Sequence, residues 1–178
     1  MEKNRQGLLH IYCGDGKGKT SAAVGMAVRA AGCGMKVLVI RFLKTENSGE
    51  VEVLRSIPGI TVTPCDRTFG FVFRMTEEQK QEAALYYQSR FEAAAKEALQ
   101  GQYDLLILDE ILASCNYGMV RETSVVEFLK NRPEKLEVVL TGRNPSETFL
   151  ELADYVSEIH MRRHPYEKGI PARRGIEF

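Results

Sequence analysis

Between Gly14 and Ser21 the chain reads GDGKGKTS, three glycines interleaved with an acid and two lysines and closed by two hydroxyls. Gly14, Gly16 and Gly18 free the backbone so that successive N–H groups can converge on an anion. Lys19 can reach a phosphate, and Thr20 carries a hydroxyl for Mg²⁺ with Ser21 behind it. This is the chemistry of a phosphate-binding loop. The general pattern begins with glycine where this chain has Cys13, and the loop adds Asp15 and Lys17, so it is a variant whose phosphate is not fixed by pattern. A Gly/Lys-rich surface turn is the bland alternative. The context argues against it, because the run follows a strand pattern and opens a helical one.

A site of this kind also needs an acid at the end of an apolar strand, where it can hold Mg²⁺ directly or through water. LLILDE supplies Asp109 and Glu110 there, at the strand end where open α/β sheets bind ligands. A solvated acidic pair is the alternative. Arg143 follows another strand pattern in LTGRN and could grip a phosphate bidentately or form a surface pair; the two readings stay open. Glu50, Arg41 and Lys44 follow the second strand pattern, as further crevice residues or as ordinary polar surface.

Phe69, Phe71 and Phe73 alternate in a segment with no strong helix or strand frame. Alternation alone favours an edge strand with one apolar face over an aromatic wall for a flat ligand. His160 and His164 are four apart and could share a metal on a helix, but no acidic partner motif accompanies them and Pro165 follows at once. Cys13, Cys33, Cys65 and Cys115 are scattered, without a CxxC pair, and read as separate reduced thiols.

The elements that position these residues alternate between short apolar runs and longer helical patterns, which predicts parallel strands joined by crossover helices. Strands are expected at 8–13, 36–42, 60–65, 105–109, 136–142 and 155–161. Helices are expected from the loop to about Ala31, around 50–56, from Thr76 as cap to about Gln100 with Gly101 as stop, over roughly 122–131, and in PSETFLELAD with Pro145 near its first turn. The expected class is α/β, a P-loop NTPase-like (RecA-like), mostly parallel sheet flanked by helices in three layers. One domain over 1–178 is expected, with an irregular basic tail from about 162.

Composition sets the outer limits. Apolar residues make up 44% and charged residues 27%, ordinary for a globular chain. Lys plus Arg and Asp plus Glu are 24 each, so no global positive field favours nucleic acid. The N-terminal stretch has no signal-peptide core, and no apolar run approaches the roughly 20 residues that span a bilayer. The expected location is the cytoplasm, with no membrane partner.

Taken in order, these motifs resemble those of the P-loop-type ATP:corrinoid adenosyltransferases. The likeness covers nearly the whole chain: GDGKGKTSAAVGMAVRAAGCGMKV, the stretch 41–50, GF with an aromatic two residues on (70–73), LLILDE, the RP at 132–133, LTGR, LADYVSE and GIEF at 175–178. The resemblance implies attack by Co(I) of a corrinoid, cob(I)alamin or a cobyrinic acid derivative, on the 5′ carbon of ATP, with triphosphate expelled whole. It implies adenosylcobalamin biosynthesis or salvage, Mg²⁺ or Mn²⁺ as cofactor, a reductant such as a flavoprotein, and a homodimer. It assigns catalytic roles to Lys19, Thr20, Asp109 and Glu110, and ATP contacts to Gly14 through Ser21 and Arg143. It assigns Mg²⁺ contacts to Thr20, Asp109 and Glu50.

In that family aromatic side chains fill the lower corrinoid face once the axial ligand has left, which eases reduction to Co(I); Phe71 and Phe73 stand at the matching positions. The resemblance turns the aromatic segment toward the ligand reading. Three departures accompany it. Phe73 stands where tryptophan is frequent, the first strand starts within about ten residues of Met1 where many members have a longer arm, and Arg41 stands where glutamine is common. An ordinary P-loop NTPase or kinase, and a corrinoid and nucleotide carrier without catalysis, are the competing expectations.

Overall fold

The computed structural model describes residues 6–100 and 102–177. Runs rich in Val, Ile and Leu form four five-residue strands, β1 (Leu9–Cys13), β2 (Val37–Arg41), β4 (Leu105–Asp109) and β5 (Glu137–Thr141). The shorter β3 (Ile60–Val62) and β6 (Tyr155–Glu158) flank them. The order is β3-β2-β4-β5-β1-β6, and every pairing is parallel. β5 therefore separates the strand that feeds the glycine loop from the strand that ends in Asp109.

Among the described residues six helices cover the sheet: α1 (Lys19–Gly32), α2 (Glu50–Ser56), α3 (Glu77–Leu99), α4 (Ile111–Asn116), α5 (Glu122–Asn131) and α6 (Glu147–Leu152). Because strand side chains alternate, Val37, Val39, Leu105, Ile107 and Val139 pack with Ala23 and Ala27 of α1 and Leu54 of α2. The intervening Leu38, Ile40, Leu106, Leu108 and Leu140 pack with Phe91 of α3, Val125 of α5 and Phe149 of α6. The result is the three-layer α/β sandwich expected from the sequence. Each large aliphatic group so buried contributes about 1.5–3 kcal/mol. Truncating Leu108 to Ala in the second layer costs about 2–5 kcal/mol.

Several boundaries differ from the sequence reading. β3 stops at Val62, just before Thr63 and Pro64; Pro64 has no N–H for a ladder. β6 stops at Glu158 because the next carbonyl, Ile159, accepts from the Gly16 amide at 2.7 Å, joining the strand end to the glycine loop. α4 is unanticipated: ILASCN continues the apolar LLILDE without a break, and periodicity does not divide such a run. At α6 the expectation holds: Pro145 stands beside the first turn, next to the cap Ser146. At α3, Thr76 forms the expected cap, a reciprocal capping box with Gln79. The expected stop at Gly101 lies outside the described residues.

Phe71 and Phe73 are not on an edge strand. They lie in and beside a short 3-10 turn, Val72–Arg74. Nor do the histidines share a helix: His160 follows β6 beside Glu158, and His164 caps a second 3-10 turn, Pro165–Lys168. Among the described residues no helix is long and apolar enough to cross a membrane, and no group of three His, Cys, Asp or Glu side chains could hold a metal.

Candidate active site

The C-terminal ends of β1, β4, β5 and β2 meet at one rim of the sheet. The glycine loop leaves β1 there and its geometry is enforced by close approach. A Cβ on Gly14, which has φ 101°, would lie 2.4 Å from the Ile159 carbonyl oxygen, and one on Gly16 would lie 2.7 Å from the same atom. Any side chain at either position would push the loop off the strand end. Cys13 stands where the general pattern has glycine because it is still strand, in register with Glu158 and buried. Burial pushes its thiol pKa up, so it stays protonated and inert.

Gly18 ends the loop at φ 122° and caps α1, so the α1 N-terminus opens toward the rim. Lys19 is buried there, its ammonium 2.7 Å from the Gly16 carbonyl. Burial lowers its pKa, and the nearby Glu110 carboxylate opposes that shift. The Thr20 hydroxyl donates to Asp109 Oδ1 at 3.0 Å. Asp109 is buried at the end of β4 and also accepts from the Thr141 hydroxyl at 2.7 Å and from the Lys44 ammonium at 2.5 Å. Lys44 Nζ is also 2.7 Å from Thr20 Oγ1. A carboxylate, two hydroxyls and an ammonium thus form one closed network beside the glycine loop.

Glu110 adopts a left-handed conformation, φ 63°, and its amide donates to Thr141 Oγ1 at 2.8 Å. Burial and the neighbouring Asp109 raise its carboxyl pKa, while Lys44, Lys19 and Arg143 pull it back. Among the described residues the other non-glycine positions with positive φ are Leu43 and Asn144. They adjoin Lys44 and Arg143, so all three strained residues lie where the chain leaves β2, β4 and β5. Strain of this kind, on the order of 1–3 kcal/mol per residue, persists where the surroundings over-determine it and clusters at functional sites.

Other expected residues lie around this group. The Arg143 guanidinium reaches the Asp15 carbonyl at 3.4 Å, over the glycine loop. The Asp15 side chain turns away from the loop interior and accepts from the Met161 amide at 2.9 Å, which lowers its pKa. Lys17 is exposed and pairs with Glu177 at 3.2 Å. Ser21 and Glu50 line a cleft of about 600 Å³ with Thr20, Lys44, Gly175 and Ile176, a volume suited to a nucleotide.

Sequence reasoning missed or misassigned several of these. Thr141 sits in the LTGR motif singled out for its arginine, yet its hydroxyl, at the strand end, is the group that reaches Asp109. Lys44 is no free surface lysine. Arg41 is not polar surface either: it is 1% exposed and donates to the Thr45 carbonyl at 2.9 Å and to Glu46 at 3.0 Å. In the irregular tail, Arg173 holds Glu177 in a bidentate pair and lowers its carboxyl pKa to about 2, which sets Glu177 against Lys17 of the loop, a contact that spacing does not announce.

Phe71 and Phe73 occupy a separate segment after β3. Their rings stack at 5.4 Å with Arg74 over both, and they are 66% and 78% exposed. Phe69 instead packs inward on Tyr86 and Tyr87 of α3, and Asp66 bonds the Tyr86 hydroxyl at 2.5 Å. The segment is therefore anchored at one end while two adjacent phenyl rings face solvent.

Comparison with known proteins adds an independent line. A family model described as ATP:corrinoid adenosyltransferase BtuR/CobO/CobP matches residues 5–178. The chain belongs to the ATP:corrinoid adenosyltransferase family. Similar family members include the corrinoid adenosyltransferases of Pseudomonas aeruginosa, 32% identical over 99% of this chain and 86% of that protein, and of Escherichia coli K12, 32% identical over 99% and 88%. The corrinoid adenosyltransferase CobA of Salmonella typhimurium is 30% identical over the same shares. Among solved structures, domain III of the Thermotoga maritima replication initiation protein DnaA aligns with a TM-score of 0.40 and 14% identity, over 87% of this chain and 55% of that one. In this member of the adenosyltransferase family the candidate site lies at the ends of β1, β4 and β5 and on the loop after β2.

Proposed function

We propose that this chain transfers the 5′-deoxyadenosyl group of ATP to Co(I) of a corrinoid. The Co(I) electron pair forms the cobalt–carbon bond at C5′ while the C5′–O bond breaks, and triphosphate leaves intact with that bonding pair. The observation that carries the reading is the Lys19, Thr20 and Asp109 group beside a glycine loop, in a chain of the adenosyltransferase family.

The chain's own residues supply most of what such a displacement needs. Loop amides and the α1 N-terminus orient the triphosphate, and Lys19, with Lys17 and Arg143 at the rim, balances the charge that grows on the leaving oxygens. Thr20 Oγ1 and the Asp109 carboxylate fit Mg²⁺, because this hydrogen-bonded pair already presents both oxygens to one cationic group, the Lys44 ammonium. Glu50, on the wall of the adjoining cleft, can join them. Mg²⁺ bound there would lower the charge of the triphosphate. Glu110 is a second acid beside Lys19, suited to the ribose side of the nucleotide.

The stacked Phe71 and Phe73 rings give the corrinoid an apolar face, displacing its lower ligand so that a separate reductant, such as a flavoprotein, can deliver the one electron that converts Co(II) of the corrinoid to Co(I). Their exposure supports this reading, since two adjacent bare phenyl rings gain little from solvent. A homodimer acting through single-domain subunits completes the proposal.

The experiment is a product assay. Under anaerobic conditions with ATP, Mg²⁺ and corrinoid, the chain should release triphosphate only when Co(I) is present. ADP formed without corrinoid would instead make it an ordinary NTPase.

A further inference from the structure

Lys44 is held in place from both sides. The preceding residue, Leu43, is locked in a left-handed conformation at φ 53°. Two residues on, the Glu46 carboxylate is gripped by buried Arg41 at 3.0 Å, by Arg55, and by the Cys65 amide at 2.7 Å. The loop between β2 and α2 is thereby pinned to the sheet. Its lysine side chain spans to Thr20 Oγ1 at 2.7 Å and Asp109 Oδ2 at 2.5 Å. These are two of the three groups, with Glu50, that the proposed function assigns to the divalent metal.

We propose that Lys44 is a tethered cation that keeps the metal position beside Thr20 and Asp109 closed until a triphosphate arrives. The inference rests on the reading of Thr20 and Asp109 as metal partners. A divalent ion coming alone must expel the ammonium from a buried carboxylate and leave two cations close together in a partly buried site. A triphosphate removes that obstacle. It brings several negative charges to the loop, so the displaced ammonium gains a new partner within reach of the same tether while the metal takes the carboxylate. Metal and nucleotide binding are then coupled, each favouring the other, and Lys44 is a positioning residue that sets the coupling.

The test is Mn²⁺ binding to the nucleotide-free protein, followed by electron paramagnetic resonance and calorimetry, with no turnover involved. Wild type should bind Mn²⁺ weakly. Lys44→Met and Lys44→Gln should bind it on the order of tenfold more tightly, the scale of one charge-assisted hydrogen bond, whereas Lys44→Arg, which keeps the charge, should stay at the wild-type value. Thermal melting identifies which neutral variant is folded. Equal Mn²⁺ affinity in wild type and a folded neutral variant would overturn the role of Lys44. Adding Asp109→Asn to Lys44→Met should abolish the gain. If the gain survives, the metal binds elsewhere and the reading of Asp109 itself fails, separately from the role of Lys44.

Discussion

The Thr20 hydroxyl and Asp109 Oδ1 lie 3.0 Å apart, although 89 positions separate them in the chain. One residue lies in the first turn of a helix and the other ends a strand two places across the sheet, so this contact forms only when β1, β5 and β4 lie side by side. Asp109→Asn should keep the shape while removing the charge that holds Thr20 and Lys44. Adenosyl transfer should fall on the order of 10²–10³-fold, the scale of losing one preorganised electrostatic group, with folding preserved by circular dichroism.

Lys19→Ala removes a buried ammonium and the counter-charge for the leaving group. Triphosphate and ATP should both bind at least about tenfold more weakly by calorimetry, since a charge-assisted contact is lost. Retained triphosphate affinity would place the anion elsewhere.

How much of this was legible in sequence follows from which interactions are local. The glycine loop, Asp109 and the Thr76 cap announce themselves within a few residues, because each depends on a strand-to-turn or turn-to-helix step. Thr141, Lys44 and Glu177 do not. Their roles arise from strand order, a pinned loop and a returning tail, which no spacing encodes. The alternation of Phe69, Phe71 and Phe73 misleads for the same reason: Phe69 packs on α3 while its neighbours turn outward on a 3-10 turn, so the shared period hides two different environments.

Phe71 and Phe73 should matter for reduction and not for folding. Because both are largely exposed, Phe71→Ala and Phe73→Ala should shift stability by no more than about 0.5 kcal/mol. Activity should fall most when Co(I) is generated by a weak biological donor, and least with chemically pre-reduced corrinoid. Equal losses under both regimes would assign the rings to packing.

Glu110 offers a pH test with a definite sign. Its carboxyl pKa is raised in the folded chain by burial and by Asp109, so between the unfolded and folded values the native state holds more protons and stability falls as pH rises. Glu110→Gln should therefore melt higher than wild type at neutral pH, and the gap should close as pH drops through the ordinary glutamate range. A gap that widens in acid would contradict the burial of this group.

Glu177 holds Lys17 of the loop, with its carboxyl pKa lowered to about 2 by Arg173, so mild acid should not release it. Glu177→Gln should free Lys17 and tighten triphosphate binding, by less than about fivefold because exposed pairs are well screened. Calorimetry at low and high salt would show the difference shrinking with salt.

The most direct measurement is anaerobic incubation of the chain with ATP, Mg²⁺ and chemically reduced cobalamin, following the visible spectrum and the phosphate products together. Adenosylcobalamin and intact triphosphate should appear in equal amounts, and neither without Co(I). Release of ADP or orthophosphate independent of corrinoid, with no adenosylated product, would contradict adenosyl transfer at this site.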